Sequence, residues 1–372
     1  MKKTLALILT IAMAVALFTG CTGTTVVIGE CTCPCVTEDP TVAPETTPVE
    51  PSPAPVIPEN EATATGALKT GLAVSTNIAD TVSASADAEG EAKYDVTLAA
   101  VTVDDNGVIQ SCVIDSIPAS VKFDATGAIT SDLTAPVSTK NELGENYGMV
   151  AWGGAVAEWD AQVKAVADYA VGKTVEELKN GDIDMTTGKA KDGTDLQSSA
   201  TIYLAGYVYA IEAAVNNAQH LGAQSGDELI LATMPSVGSS TPADAENAGN
   251  AQLDADIAVL TRKDGVITSC YIDSLQAKIA FDATGAVTTD LTAPVLTKNE
   301  LGENYGMVAY GGAIAEWDAQ AAAFASYITG KTAADVAGIA VNEKTAPTDA
   351  DLTASVTIKI GGFQNLVAKA AQ

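Results

Sequence analysis

The chain of 372 residues is poor in the side chains that most chemistry and most nucleic-acid binding require. It holds one arginine, Arg262, one histidine, His220, and 19 basic residues against 47 acidic ones, a formal net charge of −28. A nucleic-acid binder needs a basic face, and none can be assembled here. Bidentate phosphate or carboxylate clamps favour arginine, which is nearly absent. A histidine triad could be built only once and a multi-histidine metal site not at all. Aromatics are 5% of the chain, so the 47% of hydrophobic residues leans on Ala and Val. That fraction still suffices for a sizeable core and argues against wholesale disorder.

The first twenty residues read as an export signal. Lys2 and Lys3 precede a short apolar run, Leu5 to Phe18. Fourteen residues are too few for a permanent bilayer-spanning helix, which needs about twenty. The run ends Leu17-Phe18-Thr19-Gly20-Cys21, which resembles the lipobox of bacterial lipoproteins. That resemblance implies cleavage before Cys21, a diacylglycerol on its sulfur, and an extracytoplasmic protein anchored to the cell membrane. The alternative is an ordinary secretory signal followed by a chance cysteine.

Residues 21–65 change character. Seven of the chain's fourteen prolines lie between Pro40 and Pro58, among Thr, Val and Glu. Such composition predicts an extended, semi-rigid tether. At its base, Cys31, Cys33 and Cys35 could bind a soft metal, form a disulfide or accept acyl chains. No second Cys pair or His stands near to complete a tetrahedral zinc site, and exposed thiols that oxidise or stay idle are the plainer reading.

The rest is a tandem repeat. Phe123–Met149 and Phe281–Met307 differ at three of 27 positions, at a constant offset of 158. The match extends back through Cys112/Cys270 and forward through Trp159/Trp317. After a two-residue deletion it resumes at Asp195/Asp351. A period of this size denotes a duplicated domain rather than a solenoid. The copies run over 66–222 and 223–372, and separate cores joined by a surface linker are expected.

Each copy predicts α+β architecture, an antiparallel β meander with helices packed on one face. In the first copy, strands over Tyr94–Val103 and Val108–Ile117 turn at Asp104–Gly107, and a second hairpin over 120–132 turns at Asp124–Gly127. Helices are expected over 156–170 and 207–218, with a strand at 201–204. Thr174 and Thr332, each with a carboxylate three residues on, look like capped helix starts. Gly-Lys-Thr at 172–174 and 330–332 lacks the earlier glycine of a phosphate loop and reads as a helix end followed by a cap. Glu158 and Asp160 point apart on a helix and make a poor acid/base pair. Glu142 and Glu145 could pair with Lys140. Trp159 and Trp317 read as core residues. Cys112 and Cys270 read as buried thiols, since neither copy offers a second cysteine.

One segment carries a family likeness. Asp195-Leu-Gln-Ser-Ser199-Ala-Thr201-Ile and Asp351-Leu-Thr-Ala-Ser355-Val-Thr357-Ile each precede an expected helix rich in Ala. This resembles the signature of the FMN-binding domain family: Asp, two residues, Ser or Thr, Gly-Ala-Thr. The resemblance implies covalent FMN on Thr201 and Thr357 through a phosphoester made by a flavin transferase, and electron exchange with redox partners. Ser199 and Ser355 replace the family's glycine, and the second copy also departs at Ala354 and Val356. The alternative class is a non-catalytic surface lipoprotein whose paired domains bind a ligand or partner, or act structurally.

Overall fold

The computed structural model describes residues 66–372. The expected signal, Cys21 and the tether with its three cysteines lie outside the described residues. The described part is mixed α+β, with three antiparallel sheets. Strands β1 (Lys69–Asn77), β2 (Gly90–Val103) and β3 (Ile109–Phe123) form a meander in that order. Strands β4 (Ile183–Asp184) and β5 (Lys189–Ala190) make a small ribbon. Strands β6 (Glu228–Ser236), β7 (Gly249–Lys263) and β8 (Val266–Phe281) form a second meander.

The loose alternation of β2 has a physical cause: from Leu98 onward both of its faces are buried, while Lys93 and Asp95 earlier in the strand are exposed. Tyr94, Val96, Leu98 and Ala100 face one hydrophobic cluster, while Ala99, Val101 and Val103 face another. A strand covered on both sides has no reason to alternate apolar with polar. On the second face lie helices Trp159–Ala170 and Ala205–Asn216. Trp159, Val163, Val166 and Ala170 supply the inward stripe of the first, at the 3–4 residue spacing a helix face requires. In the other half, helices Trp317–Ile328 and Gly361–Ala370 cover β7 and β8 with Trp317, Phe324, Phe363 and Leu366. Helices on one face of each meander are thus observed, and Trp159 and Trp317 are core residues, 3% and 5% exposed.

The other face of each meander meets the other meander. Leu98, Ile117, Val121 and Phe123 share a single cluster with Leu253, Ile257, Leu275 and Phe281. The expectation of separate cores therefore holds only between each sheet and its own helices; the facing sheets share a third cluster. Tyr94 Oη donates across this layer to Ala251 O at 2.8 Å. The contacts are reciprocal: Ala84 N donates to Gly285 O, and Ala243 N donates to Gly127 O, both at 2.8 Å. A β-carbon on Gly127 would lie 2.7 Å from Ala243 Cβ; one on Gly285 would lie 2.6 Å from Ala84 Cβ and from Asp124 O. Both glycines also have positive φ, so close approach and conformation each require them.

The segment joining the copies is not a free linker. Thr70 and Gln219 form a bridge, as do Ala67 and Gln224, and Leu68 N donates to Ala223 O at 2.9 Å. The expected hairpin over 120–132 is present only in short form: β3 runs on to Phe123, the chain turns at Asp124–Gly127, and the return segment is held by the Phe123–Ile129 bridge and by Thr130 N donating to Lys122 O at 2.9 Å, with no further strand. The expected strand over 201–204 is irregular backbone. The helices begin at Trp159 and Ala205 rather than at 156 and 207. Thr174 with Glu177, and Thr332 with Asp335, form the expected capping boxes.

Candidate functional site

Thr201 and Thr357 sit just beyond the short helices Asp195–Ser199 and Ala350–Thr353, where the chain crosses the first turns of helices Trp159–Ala170 and Trp317–Ile328. Both threonines are exposed. Each is held by a glutamine that the sequence reading missed. Gln162 Oε1 accepts from Thr201 N at 2.8 Å and from Thr201 Oγ1 at 3.2 Å. Gln320 Oε1 accepts from Thr357 N at 2.8 Å, from Thr357 Oγ1 at 3.0 Å and from Ile358 N at 3.2 Å. The amide nitrogens donate back to Ala157 O and Ala315 O, at 2.7 and 2.8 Å. Both glutamines are completely buried, so their amides have little freedom to exchange partners with water. A signal for them existed: each is the polar residue in an otherwise apolar helical stripe, at the same offset in both copies.

The other motif residues surround this clamp without touching the hydroxyl. Asp195 and Asp351 are exposed in the first turns of the short helices. Ser198 and Ser199 hydroxyls donate back to Asp195 O at 2.7 and 3.2 Å. Ser355 Oγ donates to Leu352 O at 3.4 Å. Neither Ser199 nor Ser355 has positive φ. The backbone thus makes no demand for glycine there, and the serines add only a small side chain at the surface. Tyr203 is 60% exposed, its ring lying over Gly188, where a β-carbon would fall 2.0 Å away. The same place in the second copy holds Lys359, and the counterpart of Gly188 is Thr345, a β-branched residue at φ 62.

The neighbouring loop is fixed by Glu158, whose carboxylate accepts from Met149 N at 2.8 Å and Val150 N at 3.0 Å; Glu316 repeats this with Met307 and Val308. These carboxylates serve as caps for short helices and form no acid/base pair with Asp160 or Asp318. Lys140 does not pair with Glu142 or Glu145. It reaches Asp95 at 3.4 Å and lies over the rings of Tyr147 and Trp159. Glu142 instead caps Thr139 and pairs with Lys369 of the other half.

Cys112 and Cys270 are free thiols. Cys270 is buried as expected, whereas Cys112 is half-buried; desolvation pushes the Cys112 thiol up to about 12 and raises that of Cys270 as well, which favours the protonated form of both. Asp115 and Asp273 occupy matching buried positions on β3 and β8. Burial raises both carboxyls, Asp273 to about 6, although backbone N–H groups of Ser274 and Asn299 donate to it. A cleft of about 330 Å³ beside Asp115 is closed in by Glu228, Arg262 and Lys369, and one of about 220 Å³ lies beside Asp273; neither includes Thr201 or Thr357. Among the described residues no group of three or more His, Cys, Asp or Glu side chains could hold a metal, and no helix is long and apolar enough to cross a membrane.

What the arrangement offers is an exposed threonine in each half, its hydroxyl bonded to a neutral, buried amide. Comparison with protein-family models, with curated proteins and with solved structures finds no match to this chain.

Proposed function

We propose that the chain is a lipoprotein anchored outside the cytoplasmic membrane by acylated Cys21, raised on the tether 21–65, and carrying two copies of one domain that face each other across a shared core. We further propose that Thr201, and less readily Thr357, accepts covalent FMN from a flavin transferase, which makes the protein an electron carrier. The observation that carries this is the clamp: the threonine that matches the family's acceptor is solvent-facing in both halves, and a buried glutamine fixes its hydroxyl.

The residues present fit a phosphoester. The threonine is an exposed residue, the partner of its hydroxyl is an uncharged amide, and covalent attachment needs no arginine clamp. FMN, when attached, would supply the redox chemistry. The chain's part is to hold the free acceptor hydroxyl, which donates to Gln162 Oε1 before attachment. The ester oxygen has no proton to donate, so with FMN attached only the bond from Thr201 N to Gln162 would remain, and Tyr203 offers a neighbouring aromatic face in the first copy only. The acidic body would favour basic redox partners at low salt. Production with an active flavin transferase, followed by visible absorbance and peptide mass analysis, tests the reading. Flavin-free protein under those conditions overturns it.

A second reading, a non-catalytic surface lipoprotein, is favoured by one observation: neither inter-sheet cleft reaches the threonines, so a flavin ring would lie on open surface.

A further inference from the structure

Two matching nine-residue stretches, Met149–Ala157, MVAWGGAVA, and Met307–Ala315, MVAYGGAIA, carry no charge. They occupy matching places, between a Gly-rich loop and the helix that bears the glutamine. Their large side chains face water. Val150, Trp152 and Val156 are 46%, 89% and 63% exposed; Val308, Tyr310 and Ile314 are 47%, 92% and 56% exposed. With so few aromatics available, two rings bared to this degree at equivalent sites are not scattered surface residues.

The tips are preformed. Glu158 ties down Met149 N and Val150 N, and Gly154 N and Ala155 N bond back to Val150 O and Met149 O at 3.2 and 3.1 Å. The Trp152 ring lies against Gly148, where a β-carbon would sit 2.1 Å from it; Tyr310 lies on Gly306 in the same way. Little ordering entropy is left to lose when such a tip is covered.

We infer that these tips insert into the headgroup zone of a lipid bilayer. Trp and Tyr concentrate at that depth because a ring with a polar edge suits a boundary that is apolar on one side and wet on the other, and flanking aliphatic side chains add buried area. Charge decides between surfaces. A strongly acidic body, in a chain of net charge −28, is repelled by anionic lipid, while an uncharged tip meets no penalty at a zwitterionic one. Chain length permits the contact. Forty-four residues separate Cys21 from Gly66, and at about 3.3–3.6 Å per residue they reach at most on the order of 150 Å. The biological setting rests on the lipid-anchor reading: an anchored chain meets the bilayer at high effective concentration, so weak insertion suffices.

The test uses the chain from residue 21 onward with Cys21→Ser, which has no acyl group. It is floated with phosphatidylcholine vesicles and with phosphatidylglycerol vesicles, with and without brominated acyl chains. Trp159 and Trp317 are buried, so quenching by bromine reports Trp152. The expected result is quenching in phosphatidylcholine, weaker binding to phosphatidylglycerol that recovers with added salt, and at least about tenfold weaker partition for the Trp152→Ser/Tyr310→Ser double variant, with unchanged circular dichroism. Absence of flotation, flotation that the double variant leaves intact, or binding to insoluble wall glycan in place of vesicles would each overturn the inference. Because the acyl group is missing from this chain, such a failure leaves the anchor reading untouched. Release of the acylated protein from membranes would count against the anchor reading alone.

Discussion

The rings of Phe123 and Phe281 stack face to face, with centroids 4.0 Å apart and planes 3° from parallel. The two residues are each other's counterparts at the offset of 158. A surface that meets its own counterpart in this way has the self-complementarity of an isologous dimer interface, here within one chain.

Truncating either ring should therefore unsettle both halves. Phe123→Ala or Phe281→Ala is expected to cost about 3–5 kcal/mol, as for other fully buried phenylalanines. Urea unfolding followed by fluorescence and by circular dichroism should show one coincident transition that moves to lower urea in either variant. Two separated transitions, only one of which shifts, would mean that the halves are independent after all.

Flavin loading should be unequal. The first copy keeps more of the acceptor motif and has Tyr203 beside it, where the second has Lys359. With an active transferase, Thr201→Ala should remove most covalent FMN and Thr357→Ala little. Gln162→Leu should lower loading while Thr201 remains in place. Ser199→Gly should raise it modestly by easing access, since the backbone there is already unstrained. Peptide mass analysis of each variant reads these outcomes directly.

Stability should rise on mild acidification. Burial raises the Asp273 carboxyl from 3.8 to about 6, so the folded state holds its proton more tightly than the unfolded state. The stabilisation is complete below about pH 4 and is lost as pH rises through 6, an effect on the order of 2–3 kcal/mol. Asp115 shifts in the same direction. Thermal melts from pH 7.5 to pH 5 should show an increase that is smaller in Asp273→Asn. Equal slopes in the two proteins would remove Asp273 as a cause and leave relief of general acidic repulsion.

Location turns on one sulfur. Cys21→Ala should release the protein from membranes or leave it unprocessed, and should abolish palmitate labelling. Unchanged fractionation of that variant would end the lipoprotein reading.

Turns and caps were legible in the sequence because their determinants are local. Asp104–Gly107, Thr174 with Glu177, and Thr332 with Asp335 each specify their geometry within four residues. Of each meander, only the hairpin β2–β3 or β7–β8 followed from periodicity and turn residues. Strands β1 and β6 escaped notice. Lys69–Asn77 and Glu228–Ser236 are edge strands with mixed burial, so neither shows a clean alternation. The shared core was illegible for a different reason. Apolar residues such as Leu98 and Leu253 state that they will be buried, not by what. The threonines could be named from the motif, but Gln162 and Gln320 lie 39 and 37 residues before them and become partners only when the helices dock.

The reciprocal seating of Gly127 beneath Ala243 and Gly285 beneath Ala84 makes each Asp-Ala-Thr-Gly turn both the plug and the socket of one joint. A change that enlarges either turn must be accommodated by a groove built from the other copy, and matching changes in both would be needed to restore the fit. The two copies thereby restrain each other's drift across this face. Divergence is freer where a copy meets only its own helices, as at Val163 opposite Ala321 in the alignment and at Val166 opposite Phe324.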